Sequence, residues 1–166
     1  MSLVLTDMKD DNIIEICSEI LNICKEKSYT ISTCESFTGG LIASNITNIA
    51  GSSDIYYGGF VTYMIDAKVD ILGIERDFIN EYGVVSHEVA RKMAIKAKEI
   101  LNTDISISST GYAGPNNGDE NGHFFVAIAI GDKIYSFEER IELDRIGVKN
   151  AGAKIALAHL LEYIDK

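Results

Sequence analysis

The stretch that decides the fold runs Tyr29-Thr30-Ile31-Ser32-Thr33-Cys34-Glu35-Ser36-Phe37-Thr38-Gly39-Gly40-Leu41-Ile42-Ala43-Ser44-Asn45-Ile46. Its first third is short and β-branched, which predicts a buried strand over residues 29–34. The part that starts at Leu41 predicts a helix, and a glycine-rich turn joins the two. A strand, a tight turn and a helix in this order are typical of a parallel α/β sheet.

The rest of the chain extends this pattern on both sides. We predict helices over 9–26, 66–73, 87–101 and 145–164, a helical turn over 76–82, and strands over 60–65, 104–109, 124–130 and 133–143. Ser86 suits the N-cap of the helix that follows it, and Gly131-Asp132 suits a hairpin turn. The sequence therefore predicts a three-layer α/β/α sandwich with a mostly parallel mixed sheet and a C-terminal antiparallel hairpin. We expect one domain over 1–166, with residues 1–7 flexible or in part a cloning remnant.

The composition and net charge indicate which kinds of binding partner to expect. The chain has 166 residues, 46% of them hydrophobic, and a formal net charge of -10. An acidic protein is a poor partner for nucleic acid or an anionic membrane, because both attract a basic face. The cysteines form no C-x-x-C pair that would indicate zinc, and Cys17 and Cys24 recur at helical spacing among apolar residues, which predicts burial. We therefore expect a cytoplasmic protein without metal or cofactor, whose partner is a small molecule.

Three predicted loops leave the carboxyl ends of strands: 35–40, 64–68 and 110–122. Ligands of open α/β sheets bind at that edge. Ser36 is the candidate nucleophile there, and the backbone N–H groups after it could hold a phosphate or an oxyanion. A plain helix cap is the alternative, and local spacing alone favours it.

A serine nucleophile needs a base. His87, His123 and His159 are not placed near Ser36 by the sequence, so a Ser-His-Asp triad is not supported. Tyr63 and Lys68 follow the second strand, and Lys68 could act as base if its pKa were lowered by about three units; a solvated surface lysine is the alternative.

A further candidate lies at the start of the last helix. Arg145 could clamp a phosphate through its two terminal nitrogens, or it could pair with the neighbouring Asp144 on the surface.

Six ordered motifs resemble the C-terminal domain of the competence/damage-inducible CinA proteins, the nicotinamide-nucleotide amidase family. They are Glu35-Ser36-Phe37-Thr38-Gly39-Gly40, Gly51-Ser52-Ser53, Phe60-Val61-Thr62-Tyr63 with Lys68, Gly83-Val84-Val85-Ser86, Thr110-Gly111-Tyr112-Ala113-Gly114-Pro115, and Asp144-Arg145 with Val148-Lys149.

The resemblance implies hydrolysis of the carboxamide of nicotinamide mononucleotide to nicotinic acid mononucleotide and ammonia. It makes Ser36 the nucleophile, Lys68 its base and Tyr63 their helper. It also implies a set of substrate-binding residues: Thr38, Gly39, Gly40, Thr110, Gly111, Gly114 and Arg145. No metal or cofactor is implied, and self-association is plausible.

The chain departs from the family pattern at a few positions. Met64-Ile65 replace a Ser-Asn pair, Leu143 replaces a glycine, and Lys149 replaces an arginine. Two alternatives therefore stay open: a nucleotide-binding or regulatory domain with impaired catalysis, and an amidase for a different small amide. The family's domain often follows a second, N-terminal domain, and this chain resembles the stand-alone form.

Overall fold

A computed structural model describes residues 11–166; residues 1–7, which we expected to be flexible or a cloning remnant, lie outside the described residues. The helices are α1 (Asp11–Lys27), α2 (Leu41–Thr47), α3 (Ile65–Leu72), α4 (Arg76–Tyr82), α5 (His87–Leu101) and α6 (Arg145–Tyr163). The strands are β1 (Ile31–Glu35), β2 (Tyr56–Val61), β3 (Ile105–Gly111), β4 (His123–Ile130) and β5 (Lys133–Arg140). The predicted element types are confirmed, and Ser86 caps α5 by accepting a hydrogen bond from the Val89 amide.

The second strand has the largest error in predicted position, and the last strand ends at Arg140, three residues before the predicted end at Leu143. The second strand spans Tyr56–Val61, whereas the apolar residues 60–65 cover its end, a loop and the first residue of α3. The strand contains Gly58-Gly59, which sequence reasoning treats as turn residues. Gly59 is needed inside the strand because a Cβ at this position would lie 2.1 Å from the Thr33 hydroxyl on β1.

The sheet has five strands in the order β2-β1-β3-β4-β5. The pairs β2–β1 and β1–β3 are parallel, while β4 is antiparallel to both β3 and β5. Four of the five strands therefore share one direction, and the predicted mixed, mostly parallel sheet with its C-terminal hairpin is confirmed. The carboxyl ends of β1, β2 and β3 meet at one edge.

Helices cover both faces of this sheet. The larger apolar core joins α1, α2 and α6 to side chains such as Ile105, Ile107 and Phe124, and Cys17 and Cys24 are buried in it as expected. On the other face, α3, α4 and α5 pack over Cys34 and the alanines of β4. The three-layer sandwich is therefore confirmed. None of the described helices is both long and apolar enough to cross a membrane.

Candidate active site

The turn after β1 is organised by the carboxylate of Glu35. This side chain is fully buried. One oxygen accepts hydrogen bonds from the Thr38 hydroxyl (2.7 Å) and from the Gly40 (3.0 Å) and Ile42 (3.1 Å) amides, and the other accepts from the Ala43 amide (2.9 Å). The first amides of α2 are thus capped from within the protein.

This geometry changes what the turn can offer a ligand. The Gly40, Ile42 and Ala43 amides, which lie where a phosphate or an oxyanion could have been held, are already used by Glu35. Within the described residues, the Phe37 and Thr38 amides donate to no protein acceptor. The Phe37 and Thr38 amides, directly after Ser36, are therefore the backbone donors that this turn can still offer a ligand.

Ser36 sits at the carboxyl end of β1 and is 8% exposed. Its amide donates to the Ser109 carbonyl oxygen of β3 at 3.0 Å, which fixes its backbone to the neighbouring strand. Its Oγ accepts a hydrogen bond from Lys68 Nζ at 3.2 Å. The two residues, separated by a strand and a helix in the chain, form a direct pair.

Lys68 is held in an unusual place for a lysine. It lies in the first half of α3 and is completely buried, so the alternative of a solvated surface lysine is wrong. Nζ also donates to the Thr62 carbonyl oxygen at 2.6 Å, and among the described ion pairs none includes Lys68. Burial lowers the pKa of Lys68 to about 8, against a smaller raising effect from Cys34. A fraction of this lysine is consequently neutral near neutral pH.

Tyr63 and Arg145 form a second contact at the same edge. Arg145 donates from Nη2 to the Tyr63 hydroxyl at 2.7 Å and from Nη1 to the Gly114 carbonyl oxygen at 2.6 Å. The alternative pairing of Arg145 with Asp144 is absent from the described ion pairs; Asp144 instead caps α6 through the Gly147 amide. Tyr63, which is 54% exposed, makes no described hydrogen bond to Ser36 or Lys68.

The other predicted substrate-binding residues surround these two contacts. The Thr38 hydroxyl bonds to Glu35 and Ser109, and the buried Thr110 hydroxyl donates to the Val84 carbonyl oxygen at 2.7 Å. Gly111 packs so closely on Phe124 that a Cβ would lie 2.3 Å from the Phe124 Cβ. These contacts hold the loops together.

Two glycines end the turn, and a lysine of α6 lies against it. Gly39 (φ +61°) and Gly40 (φ +99°) have left-handed backbones that disfavour other residues. A Cβ on Gly39 would lie 3.4 Å from Lys149 Nζ, so the Lys149 ammonium reaches over the turn.

Sequence reasoning missed the roles of Glu35, Thr62, Ser109 and Lys149. Thr62 and Ser109 accept hydrogen bonds through backbone carbonyls, which carry no sequence signal, and the Ser109 hydroxyl also bonds to the Thr38 hydroxyl. A buried carboxylate at the end of a strand, directly before a helix, was the available signal for Glu35.

The three histidines lie elsewhere. His87 bonds to Ser136, His123 lies between Glu120 and Glu138, and His159 bonds to Glu139. A cavity of about 450 Å³ also lies away from Ser36, at the opposite edge of the sheet, where Tyr29 and Asp104 line it. The site is therefore defined by the Ser36–Lys68 pair.

The fold and the pair define an α/β protein with a serine–lysine site at the carboxyl edge of its sheet, and comparison with known proteins identifies the family. The model of the CinA C-terminal domain matches residues 14–164, so the chain belongs to that family. It is 36% identical over 153 residues to a putative competence-damage inducible protein of Bacillus subtilis, with 91% of this chain and 37% of the relative covered. A relative of the same description from Caldicellulosiruptor saccharolyticus is 40% identical over 141 residues, with 83% and 34% covered.

Solved structures agree with this assignment. A CinA superfamily protein from Escherichia coli has a TM-score of 0.88 and 30% identity, and the match covers 98% of both chains. The competence/damage inducible protein CihA from Agrobacterium tumefaciens has the same TM-score and coverage at 34% identity. The chain spans about a third of the length of the curated relatives it matches.

Proposed function

We propose that this chain is an amidohydrolase that converts nicotinamide mononucleotide to nicotinic acid mononucleotide and ammonia through Ser36 and Lys68. The observation that carries the proposal is the 3.2 Å contact between Lys68 Nζ and Ser36 Oγ, made by a lysine that is fully buried and whose pKa is lowered to about 8. A neutral amine beside a serine hydroxyl can accept its proton and so activate the serine oxygen as a nucleophile. The substrate comes from the family resemblance.

The reaction proceeds in two halves. Neutral Lys68 accepts the Ser36 proton while Oγ attacks the carboxamide carbon, and the Thr62 carbonyl oxygen keeps Nζ in place. The free amides of Phe37 and Thr38 are the available donors for the oxyanion. Lys68 then gives that proton to the amide nitrogen, the C–N bond breaks, and ammonia departs to leave an ester on Ser36. Water, deprotonated by Lys68, hydrolyses that ester to the carboxylic acid and frees Ser36.

The two alternatives were motivated by Met64 and Ile65. Met64 is 67% exposed, and neither side chain takes part in the hydrogen bonds that join Lys68 to Ser36 and Thr62. No observation in the described residues therefore favours an impaired site. A cytoplasmic location, self-association and the lack of nucleic-acid binding stay predictions from the sequence.

The test is ammonia release from nicotinamide mononucleotide, measured for the wild type, Ser36→Ala and Lys68→Ala. Ser44→Ala, an exposed serine one turn into α2, is the matched control. We expect release by the wild type and the control, and a loss of at least about a thousandfold in the other two variants. Release that persists unchanged in Ser36→Ala and Lys68→Ala would overturn the proposal.

A further inference from the structure

Lys149 is a charged residue at the site whose ammonium has no partner among the described residues. Lys149 lies one turn after Arg145 on α6, so both side chains leave the same face of the helix. It is half-buried, and across residues 11–166 its ammonium forms no hydrogen bond or ion pair. Its Nζ lies over Gly39, three residues beyond the nucleophile. An unpaired, partly desolvated cation in this position favours an anionic ligand group.

Arg145, which the sequence offers as a candidate phosphate contact, has protein partners in the structure. Its two terminal nitrogens donate to the Gly114 carbonyl oxygen and the Tyr63 hydroxyl. The guanidinium group that could bind a phosphate therefore connects two loops instead. Arg145 is therefore a positioning residue that connects α6 to the loops after β2 and β3.

The amides at the start of α2 are also unavailable to an anion. Glu35 accepts from Gly40, Ile42 and Ala43, and its own negative charge would repel a second anion at that place. Apart from the Phe37 and Thr38 amides, which the proposed mechanism uses for the oxyanion, the donor at the turn without a partner among the described residues is the Lys149 ammonium.

We propose that Lys149 binds the phosphate monoester of the substrate whose amide Ser36 attacks, and so selects phosphorylated amides over their dephosphorylated counterparts. This inference rests on the proposed function for its substrate, but the binding step can be measured without turnover. The Lys149 stem would keep its packing while the ammonium pairs with the phosphate.

The test compares nicotinamide mononucleotide with nicotinamide riboside, which has the same ring and amide and no phosphate. Calorimetry on a Ser36→Ala background measures both affinities without hydrolysis, with and without Lys149→Met, which keeps an unbranched chain and removes the charge. Lys96→Met, on α5 at the opposite face of the sheet, is the control for losing one positive charge.

We expect Lys149→Met to weaken mononucleotide binding about 10- to 100-fold, and the preference for mononucleotide over riboside to fall by the same factor. The Lys96→Met control should keep that preference. An unchanged preference in Lys149→Met overturns the inference, as does an equal loss for both ligands or a failure of the Ser36→Ala protein to bind either one. A further outcome is that the wild type releases no ammonia while Lys149→Met loses the preference for mononucleotide. That pair of results would support Lys149 as the phosphate-binding residue and refute the proposed amidase activity.

Discussion

The buried lysine makes a prediction that links stability to pH. Lys68 has a folded-state pKa of about 8 against an ordinary 10.5, so the unfolded chain binds this proton more tightly than the folded chain does. The unfolded state therefore holds more protons between about pH 8 and 10.5, and the free energy of unfolding rises with pH in that window. Below pH 8 the folded protein carries a constant penalty of about 3 kcal/mol from this residue.

Lys68→Met isolates that penalty. Methionine has nearly the same length and no charge, while the hydrogen bonds to Ser36 and Thr62 are lost at every pH. The difference in unfolding free energy between wild type and variant should then change by about 2 to 3 kcal/mol from pH 7 to pH 10, with the wild type gaining relative to the variant. The variant should at the same time be inactive.

Urea unfolding of both proteins at pH 7, 8, 9 and 10 measures this difference, because the other titrating groups are shared and cancel. The activity of the wild type should follow the same group: its kcat/KM should rise about tenfold per pH unit below 8 and level off above. A flat stability difference from pH 7 to 10 would refute a buried lysine with a lowered pKa, and so refute its role as base.

Three further substitutions test the surroundings of the pair. Glu35→Gln puts an amide donor among the four N–H and O–H groups that now donate to a carboxylate. We therefore expect the free energy of unfolding, measured in urea, to fall by about 2 to 4 kcal/mol. The control Glu99→Gln, at an exposed position, should change it by less than about 0.5 kcal/mol. Tyr63→Phe removes one of the two acceptors of Arg145 and should raise KM more than it lowers kcat; a kcat fall above about a hundredfold would indicate a proton relay instead. Gly39→Ala should cost about 1 to 2 kcal/mol because φ is +61°, and thermal melting at wild-type temperature would contradict that strain.

The fold could be predicted from the sequence where local pattern and tertiary environment agree. The helix 87–101, with Ser86 as its cap, has the predicted bounds because capping chemistry and apolar spacing both mark them. The strand β2 was misplaced because Gly58-Gly59 are in the sheet for a tertiary reason, the close approach of Thr33 to Gly59, which no local pattern carries.

The candidate site, like the fold, could be predicted from the sequence only in part. Ser36 and Lys68 could be predicted through the resemblance, and the loops after β1, β2 and β3 through the rule that parallel strands present their carboxyl ends at one edge. What Arg145 contacts could not be predicted, because its partners, a carbonyl at Gly114 and a hydroxyl at Tyr63, come together only in the folded chain. The same holds for Lys149, because only the folded chain shows that its ammonium has no partner among residues 11–166.

The proposed mechanism requires that Ser36 become covalently acylated during amide hydrolysis. Rapid-quench mass spectrometry of the Ser36 peptide, during turnover of nicotinamide mononucleotide, tests it most directly. We predict that the wild-type peptide gains the mass of the substrate less ammonia before steady state, and that Ser36→Ala forms neither adduct nor ammonia. Ammonia release by Ser36→Ala at the wild-type rate, with no adduct on the wild-type peptide, would contradict the account.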